Sequence, residues 1–434
     1  MPLPKDKSVS KKALFSWALY DWANSAYFAV IHTFVFATYF IQSVASNNTI
    51  GSTQWGNTIS AAGLIIALGG PMLGAMADQF GRRKPWIMAF TLIAVCAITG
   101  LWFVQPSTEY VWLALGLIFV ATIGSESAII FYNAMLPDLT SDENVGRWSG
   151  WGWGLGYAGG LVCLVVALYG FIQVEVPPFG LDTEFSEPVR ATFILVAVWY
   201  LLFSLPLFFN TPDTPRTGVG FRKAVSDGWK QLKESVNHVK EYRHILRFLI
   251  ARMVFIDALA TVFAFGGIYA AGTFDMQPRD VLLFGIGLNL TAGVGAALFA
   301  WVDDWLGSRQ TMLISLAALI VITAAILLVT TETWFWVAGL TLGIFVGPVQ
   351  AASRTYMARV APEHLKNQMF GLLALSGKVT AFVGPFLVGW LTYFAGSQRI
   401  GMSVIVVMFI LGFILLLRVP NVTSSGTIEP NKDH

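Results

Sequence analysis

Charge is scarce in this chain. Of its 434 residues only 12% are charged, against 56% hydrophobic, where soluble proteins carry about 25% charged residues. That balance excludes an ordinary water-soluble domain. Cysteine is scarcer still: Cys96 and Cys163 fall in separate apolar runs, out of reach of any metal-ligand spacing. They are expected to pack as small apolar side chains, with no disulfide and no metal site. Also missing are a nucleophile motif, a Walker-type phosphate loop and any large polar domain. These absences argue against an enzyme, a bound cofactor or ATP-driven work by this chain alone. A net charge of +2 gives no argument for a nucleic-acid partner, and none is expected.

Long apolar runs are what the sequence does have. They recur over about 14–43, 54–78, 86–104, 110–136, 150–172, 189–209, 245–272, 280–300, 311–330, 333–357, 369–394 and 401–418. Each approaches the roughly 20 residues that a helix needs to cross a hydrocarbon core about 30 Å thick. The first run is too long for a signal peptide and lacks a small-residue cleavage site, so it is read as a retained helix. With both termini placed in the cytoplasm, only Arg190, Arg279 and Arg399 of the 27 Lys and Arg fall in external segments. Arg252, Arg354 and Lys378 lie in helices or at their ends, and the rest are cytoplasmic. The positive-inside rule therefore sets the orientation.

The apolar pattern stops between Asn210 and Arg243. A turn-rich stretch opens at Thr211, after which Phe221, Val225, Trp229, Leu232, Val236 and Val239 recur at helical spacing among Arg222, Lys223, Lys230, Lys233 and Lys240. This reads either as a helix on the cytoplasmic membrane surface or as a linker helix packed on the bundle. The expected organisation is an N-terminal bundle over 1–209, a linker over 210–243 and a C-terminal bundle over 244–434.

In the short basic loop after the second run the chain reads Gly74-Ala-Met-Ala-Asp78-Gln-Phe-Gly81-Arg82-Arg83. A degraded copy stands at the same place in the second half, with Ala300, Asp304, Gly307 and Arg309 in register and Ser308 where Arg82 stood. Two copies in two halves resemble the loop signature of the major facilitator superfamily. The resemblance implies an all-α integral membrane protein of twelve transmembrane helices in two pseudo-symmetric six-helix bundles. The signature is expected to act as a conformational latch. Asp78 would cap the N-terminal end of helix eleven across the interface, and Arg82 and Arg83 would tie to Asp138 or Glu143. The second latch, lacking one arginine, is expected to be weaker.

Further motifs narrow the family. They are Tyr20-Asp-Trp-Ala-Asn-Ser-Ala-Tyr27, Phe131-Tyr-Asn-Ala-Met-Leu-Pro-Asp-Leu139, and the glycine-rich run from Gly146 to Gly160. Phe265-Gly-Gly-Ile-Tyr-Ala-Ala-Gly272, Gln350-Ala-Ala-Ser-Arg354 and Ser376-Gly-Lys378 complete the set. Together they resemble the vacuolar effluxer family of autophagy-linked amino-acid permeases and their bacterial relatives. The likeness runs from helix one to helix eleven. It implies a multi-pass permease, with amino-acid efflux the activity of fungal members.

Polar groups at membrane depth are costly and mark functional candidates. On helix one Asp21, Asn24, Ser25 and His32 share a face at 100° per residue, which would line a central cavity or form an interhelical hydrogen-bond network. Asp257 stands in helix seven where Asp21 stands in helix one, and is either a substrate or proton site or a counter-ion for Arg252 or Lys378. Glu126 shares a face of helix four with Thr122 and Asn133, and is a candidate proton carrier if unpaired. Lys378, about 14 Å into helix eleven at 1.5 Å per residue, needs Asp21, Asp257, Glu126 or a substrate carboxylate as partner. Asn289 and Gln350 are weaker cavity candidates. The sharpest expectation joins Asp21, Asp257 and Lys378 in one zwitterion site. The glycines of helix five are expected to serve close packing, and Gly384-Pro385 to kink helix eleven.

The resulting expectation is a secondary active transporter for a small polar metabolite, amino acids foremost, working by alternating access with protons as a candidate co-substrate. A drug or sugar permease on the same fold is the alternative, and a lipid scramblase or membrane-embedded enzyme the alternative of another class. The expected setting is the bacterial inner membrane, as a monomer in the lipid bilayer.

Overall fold

A computed structural model of the chain describes residues 10–215, 217–218, 223, 226–230 and 242–422. Among the described residues the chain is helical throughout. The first span, α1 (Lys11–Val44), carries π-helical stretches at Tyr27–Phe34 and Phe40–Val44. It is followed by α2 (Asn48–Phe80), α3 (Lys84–Gly100), α4 (Val111–Leu139), α5 (Val145–Ala167) and α6 (Glu187–Asn210). The second half holds α7 (Arg243–Phe274), α8 (Pro278–Leu306), α9 (Ser308–Leu328), α10 (Glu332–Val360), a split α11 and α12 (Gln398–Leu417). Eleven of the described helices are long and apolar enough to cross a membrane. The remaining crossing is made in two pieces, α11a (Lys366–Ser376) and α11b (Val383–Ala395).

That break corrects the expectation of a continuous, merely kinked helix eleven. Pro385 has no N–H to give and its ring would clash with the carbonyl four residues back, so a first turn suits it best, although Pro71, Pro137, Pro206 and Pro348 are accommodated inside other helices. Here the helix restarts at Val383 with Pro385 in its first turn, and Lys378 falls in the non-helical break instead of inside a helix. The linker helix expected over 221–240 lies mostly outside the described residues.

The signature glycines have a local reason. Gly81 ends α2 at φ 89° and Gly307 ends α8 at φ 88°, a region where a side chain would be strained. Both let the chain reverse sharply into the following helix.

The fold is two six-helix bundles related by pseudo-symmetry. Within them α1 packs on α5 and α6, and α7 on α12; between them α2 packs on α11a while α5 packs on α8 and α10. The glycines of α5 permit this double contact. A Cβ on Gly159 would come 2.5 Å from the Trp22 carbonyl of α1, and one on Gly150 would come 2.6 Å from the Ala296 carbonyl of α8. Small residues at such crossings are the usual basis of close membrane-helix packing. Large apolar side chains such as Leu68, Phe209, Val321 and Leu328 face outward from the bundle, as a surface solvated by lipid allows. Cys96 and Cys163 are both free.

Candidate functional site

A cavity of about 630 Å³ lies between the two bundles. Its walls come from α1, α4 and α5 on one side and from α7 to α10 and α12 on the other. It starts at Asp21 and Arg354 and reaches residues such as Tyr269 and Val281, near the ends of α7 and α8 remote from the signature loops. Phe28, Phe34, Trp153, Phe284 and Phe335 make much of the wall aromatic, while Asp21, Asn24, Glu126, Asn133, Asn289 and Arg354 supply polar groups.

The floor is an ion pair that joins the bundles. Arg354 Nη1 of α10 donates to Asp21 Oδ2 of α1 at 2.9 Å and to Asn133 Oδ1 at 3.2 Å. Its Nε donates to Ser149 Oγ at 2.9 Å and its Nη2 to the Ser149 carbonyl at 2.5 Å. The guanidinium lies 5.0 Å from the Trp17 ring centroid, and Trp17 stacks on Tyr132 at 4.6 Å. Tyr132 in turn donates to Asp21 Oδ2 at 2.9 Å. Arg354 is thus charge-paired and hydrogen-bonded on its remaining sides, and Asp21 Oδ2 takes a second bond from Tyr132, which is what a buried ion pair calls for. Arg354 was the residue that sequence reasoning left without a partner; its depth in α10 was the signal that one had to exist.

A second pair crosses the interface. Lys378 Nζ, in the break of helix eleven, donates to Glu126 Oε1 of α4 at 2.6 Å. This is one of the partners considered for Lys378, but the three-residue zwitterion site does not form. Asp21 is taken by Arg354 and Lys378 by Glu126. Asp257 lies apart from both, where its Oδ2 accepts from the backbone N–H of Gly384 at 3.1 Å, in the first turn of α11b. The repeat equivalence of Asp21 and Asp257 is therefore one of sequence position, and helix breakage gives the second acid a different neighbour. Arg252 meets neither acid: its Nη1 donates to the Leu373 carbonyl and to Ser376 Oγ, each at 2.7 Å, at the C-terminal end of α11a.

Other expected cavity residues divide. Asn24 borders the cavity and donates to Tyr200 Oη at 2.5 Å. Asn289 borders it and donates back to the Gly285 carbonyl at 2.8 Å. His32 is not among the lining residues; it packs edge-on to Trp55 and Tyr27. The reason is the π-helical stretch at Tyr27–Phe34, whose wider turn rotates every following side chain off the face that 100° per residue assigns. Gln350 also stands back from the cavity, donating to Tyr157 Oη at 3.2 Å.

At the end of the bundle that carries the signature loops, the two halves lock. Asp78 Oδ1 accepts from Asn367 N at 3.1 Å and from its Nδ2 at 2.7 Å, and Oδ2 accepts from Gln368 N at 3.0 Å. These are first-turn amides of α11a, so the carboxylate caps a helix of the opposite bundle. Gly74 lies against the Asn367 backbone, where no side chain would fit. Arg83 pairs with Asp138 and donates from Nε to Asn367 Oδ1 at 3.0 Å, while Lys366 reaches the same Asp138 at 2.5 Å. Arg82 and Glu143 are exposed and make no ion pair among the described residues, which corrects their assignment to the latch.

The degraded copy repeats the geometry with other partners. Asp304 lies against the first turn of α5, where a Cβ on Gly146 would come 2.7 Å from Oδ1. It stands 3.5 Å from Arg147 and 3.7 Å from Arg359. Arg359 also binds Asp303 at 2.8 Å and Ser308 Oγ at 2.6 Å. Arg309 leaves the interface and donates to the Leu417 carbonyl at 2.8 Å, at the end of α12. Ser308 thus does not leave a gap: Arg359 of α10, absent from the motif, supplies the cation. Sequence spacing could not reveal it, because it comes from another helix.

Comparison with known proteins places this architecture. Residues 57–426 match the family described as vacuole effluxer Atg22 like. A Bacillus subtilis protein described as the uncharacterized MFS-type transporter YxiO is 26% identical over 431 residues, covering 96% of this chain and 97% of its own. Autophagy-related protein 22-1 of Penicillium rubens is 24% identical over 296 residues, which are 63% of this chain and 49% of the fungal one. In fold the chain resembles the human organic anion transporter MFSD10 with a TM-score of 0.73 at 15% identity, over 95% of this chain and 100% of that one. It also resembles FucP in its outward conformation with a TM-score of 0.72 at 12% identity, over 93% and 97% of the two chains. A facilitator fold in two bundles, a charged cavity between them and a family match over most of the length agree: this integral, multi-pass membrane protein is a transporter, and it belongs to the Atg22-like vacuole effluxer family.

Proposed function

We propose that the protein is a secondary transporter that moves amino acids by alternating access, in the direction of efflux, across a bacterial inner membrane with both termini in the cytoplasm. The observation that carries this reading is the cavity between the bundles with Glu126, Asp21, Asn133 and Arg354 at its deep end. A zwitterion needs an anionic and a cationic site within one pocket, and neither a sugar nor a neutral drug does. Of the two pairs Glu126–Lys378 is the less buried, with side-chain exposures of 18% and 33%; Glu126 lines the cavity, and Lys378, which does not, reaches Glu126 from the break behind it. An incoming ammonium can exchange onto Glu126 as the carboxylate takes Lys378. Arg354 has little donor capacity left and belongs to the floor. Alternating access is supported by the one-sided closure: the signature contacts and the Asp21–Arg354 pair shut one end while the cavity extends toward the other.

The aromatic wall favours a second reading, an amphipathic drug as cargo. Purified protein screened by thermal shift against amino acids, peptides, sugars, organic acids and aromatic cations separates the two. A ligand at a hundredfold its Kd stabilises by about 2.7 kcal/mol, a readily measured shift. Stabilisation by aromatic cations alone, with no response to any amino acid, would refute the amino-acid reading. A hit is then tested by counterflow in proteoliposomes, where binding without exchange would refute carriage of that compound.

A further inference from the structure

Among the described residues, and apart from Glu187, Asp280 and Glu332 in first turns, the acids within the membrane-spanning helices have a cation within 4 Å or several N–H donors, although neither oxygen of Asp304 is hydrogen-bonded. Asp21 has Arg354, Glu126 has Lys378, Asp138 has Arg83 and Lys366, and Asp303 and Asp304 share Arg359. Asp78 lacks a bonded cation and has three N–H donors in its place. Asp257 departs from this pattern. It is 3% exposed, Oδ2 accepts a single hydrogen bond from Gly384, and Oδ1 has no partner. Counting from Arg243 at 1.5 Å per residue, it lies about 21 Å along α7, deep in the span.

Among the described residues, no cation of the elements packed against α7 bonds to it, and Lys366 of α11a is taken by Asp138. On its own helix, Arg252 is turned to the end of α11a. In the break, Lys378 is bonded to Glu126 across the interface. α11b carries no Asp, Glu, Lys, Arg or His, and α12, which packs along α7, has only Arg399 at its start; that guanidinium is bound to the Leu327 and Val329 carbonyls. On α10, Arg354 and Arg359 are committed to Asp21 and Asp303. An ionised carboxylate in apolar surroundings with one amide donor and a bare oxygen is a poor state, and the remedy available to it is to carry a proton. The adjacent helix N-terminus favours the anion, but Asp78 faces a helix N-terminus too and there recruits three donors, not one.

We propose that Asp257 holds a proton in this conformation and is the site where a coupling proton is taken up and released. The proposal rests on the transporter reading above but not on the identity of the cargo. The proton enters from water onto the bare oxygen, giving the neutral acid, and returns to water when the broken segment moves and hydrates the carboxyl. The carboxylate left behind caps α11b more strongly than the acid does. Since α11b follows the break that holds Lys378, the proton on Asp257 changes the anchorage of the segment that reaches across to Glu126.

The test needs no substrate. Full-length protein in lipid bilayers is titrated from acidic to alkaline buffer while infrared difference spectra are recorded, for the wild type and for Asp257→Asn, which keeps an acceptor for the Gly384 amide. The expected result is a protonated-carboxyl band at neutral pH in the wild type that is missing from the variant. If that variant does not fold, Asp257→Glu is used, and the band is expected to change position. No band difference at neutral pH, or an unmoved band in Asp257→Glu, overturns the proposal and leaves Asp257 an ionised helix cap. Loss of the band on adding sodium at fixed pH also overturns it, in favour of a metal-cation site. A failed amino-acid screen touches none of these outcomes.

Discussion

Replacing Arg354 by alanine tests whether the floor of the cavity is a gate or a piece of permanent structure. The side chain makes four hydrogen bonds, one of them to Asp21, and bridges α10 of one bundle to α1, α4 and α5 of the other. Removing one partner of a buried ion pair costs about 3–5 kcal/mol. Arg354 is 4% exposed on its side chain and Asp21 13%, so little of that is recovered by solvent. After truncation Asp21 retains only Tyr132, which places Arg354→Ala toward the upper part of the range. Asp21→Asn leaves Arg354 its contacts to Ser149 and Asn133 and belongs near 3 kcal/mol. Because the bonds cross the interface, the cost falls on the conformation with a closed floor. At 1.4 kcal/mol per tenfold, the equilibrium should move by roughly two to three and a half powers of ten toward the opposite state.

The assay is thiol labelling of Thr33→Cys, an exposed cavity residue of α1, after Cys96 and Cys163 have been replaced. In the wild type the site should react from the side to which the cavity opens, and in Arg354→Ala that reaction should slow sharply. Global melting should fall by much less than the full cost, since the alternative conformation never had the pair. The double variant should lose less than the sum of the single ones. Unchanged labelling together with a large drop in melting temperature would refute the argument, because the pair would then hold the fold and not one of its states.

Three further outcomes follow from the interface. Asp78→Asn exchanges a charged cap for a neutral one that cannot accept at both oxygens, and hydrogen bonds to charged groups contribute about 1.5–3 kcal/mol; counterflow of an identified cargo should fall while its thermal-shift binding persists, and full exchange by the variant would refute the latch. Gly74→Ala drives a methyl into the Asn367 backbone, so overpacking of about 1–3 kcal/mol should separate α2 from α11a, and adding Asp78→Asn should then shift the equilibrium by less than the sum of the two if both act on one state. Cysteines at Ser52 and Ser186 should label from outside and those at Ser141 and Ser226 from inside; the reverse pattern would invert the proposed orientation.

The fold was legible because two signals repeat. Apolar runs of membrane length mark the crossings, and the glycine-aspartate-arginine motif recurs in the second half with Asp304 and Gly307 in register. Asp78 as a cap on helix eleven was also readable, since an acid fixed at a helix end beside an interface needs amides to bind. What failed did so where local backbone geometry departs from the regular helix. His32 was assigned to the cavity by a 100° step that the π-helical stretch does not obey. Lys378 and Asp257 were joined by the echo of helix one in helix seven and by the depth of the lysine, but the helix restarts at Val383, which leaves Lys378 in the break and sets Asp257 against the first turn of α11b. Arg354 was visible in the sequence, but choosing Asp21 from among several acids requires distances between helices, which spacing along one helix does not contain.

The broken helix also explains why contacts far apart in the sequence act together. α11a is held at its first turn by Asp78 of α2 and at its last turn by Arg252 of α7, so its two ends belong to different bundles. The six residues of the break, 377–382, then carry Lys378 to Glu126 of α4. In the proposed alternating access, rocking one bundle against the other parts the Asp78 cap and the Lys378–Glu126 pair together, while Arg252 keeps α11a with the second bundle. On the opposite side of the pseudo-symmetric interface, α5 is tied to α8 through Asp304 and Arg147. That joint is backed by Arg359, which is itself fixed to Asp303 and Ser308. On release Asp304 keeps Arg359 of its own bundle beside it, and the cation that loses its acid is Arg147, which is already partly exposed. The α2–α11a joint has no such reserve at Asp78, whose oxygens lose three N–H donors when that joint opens.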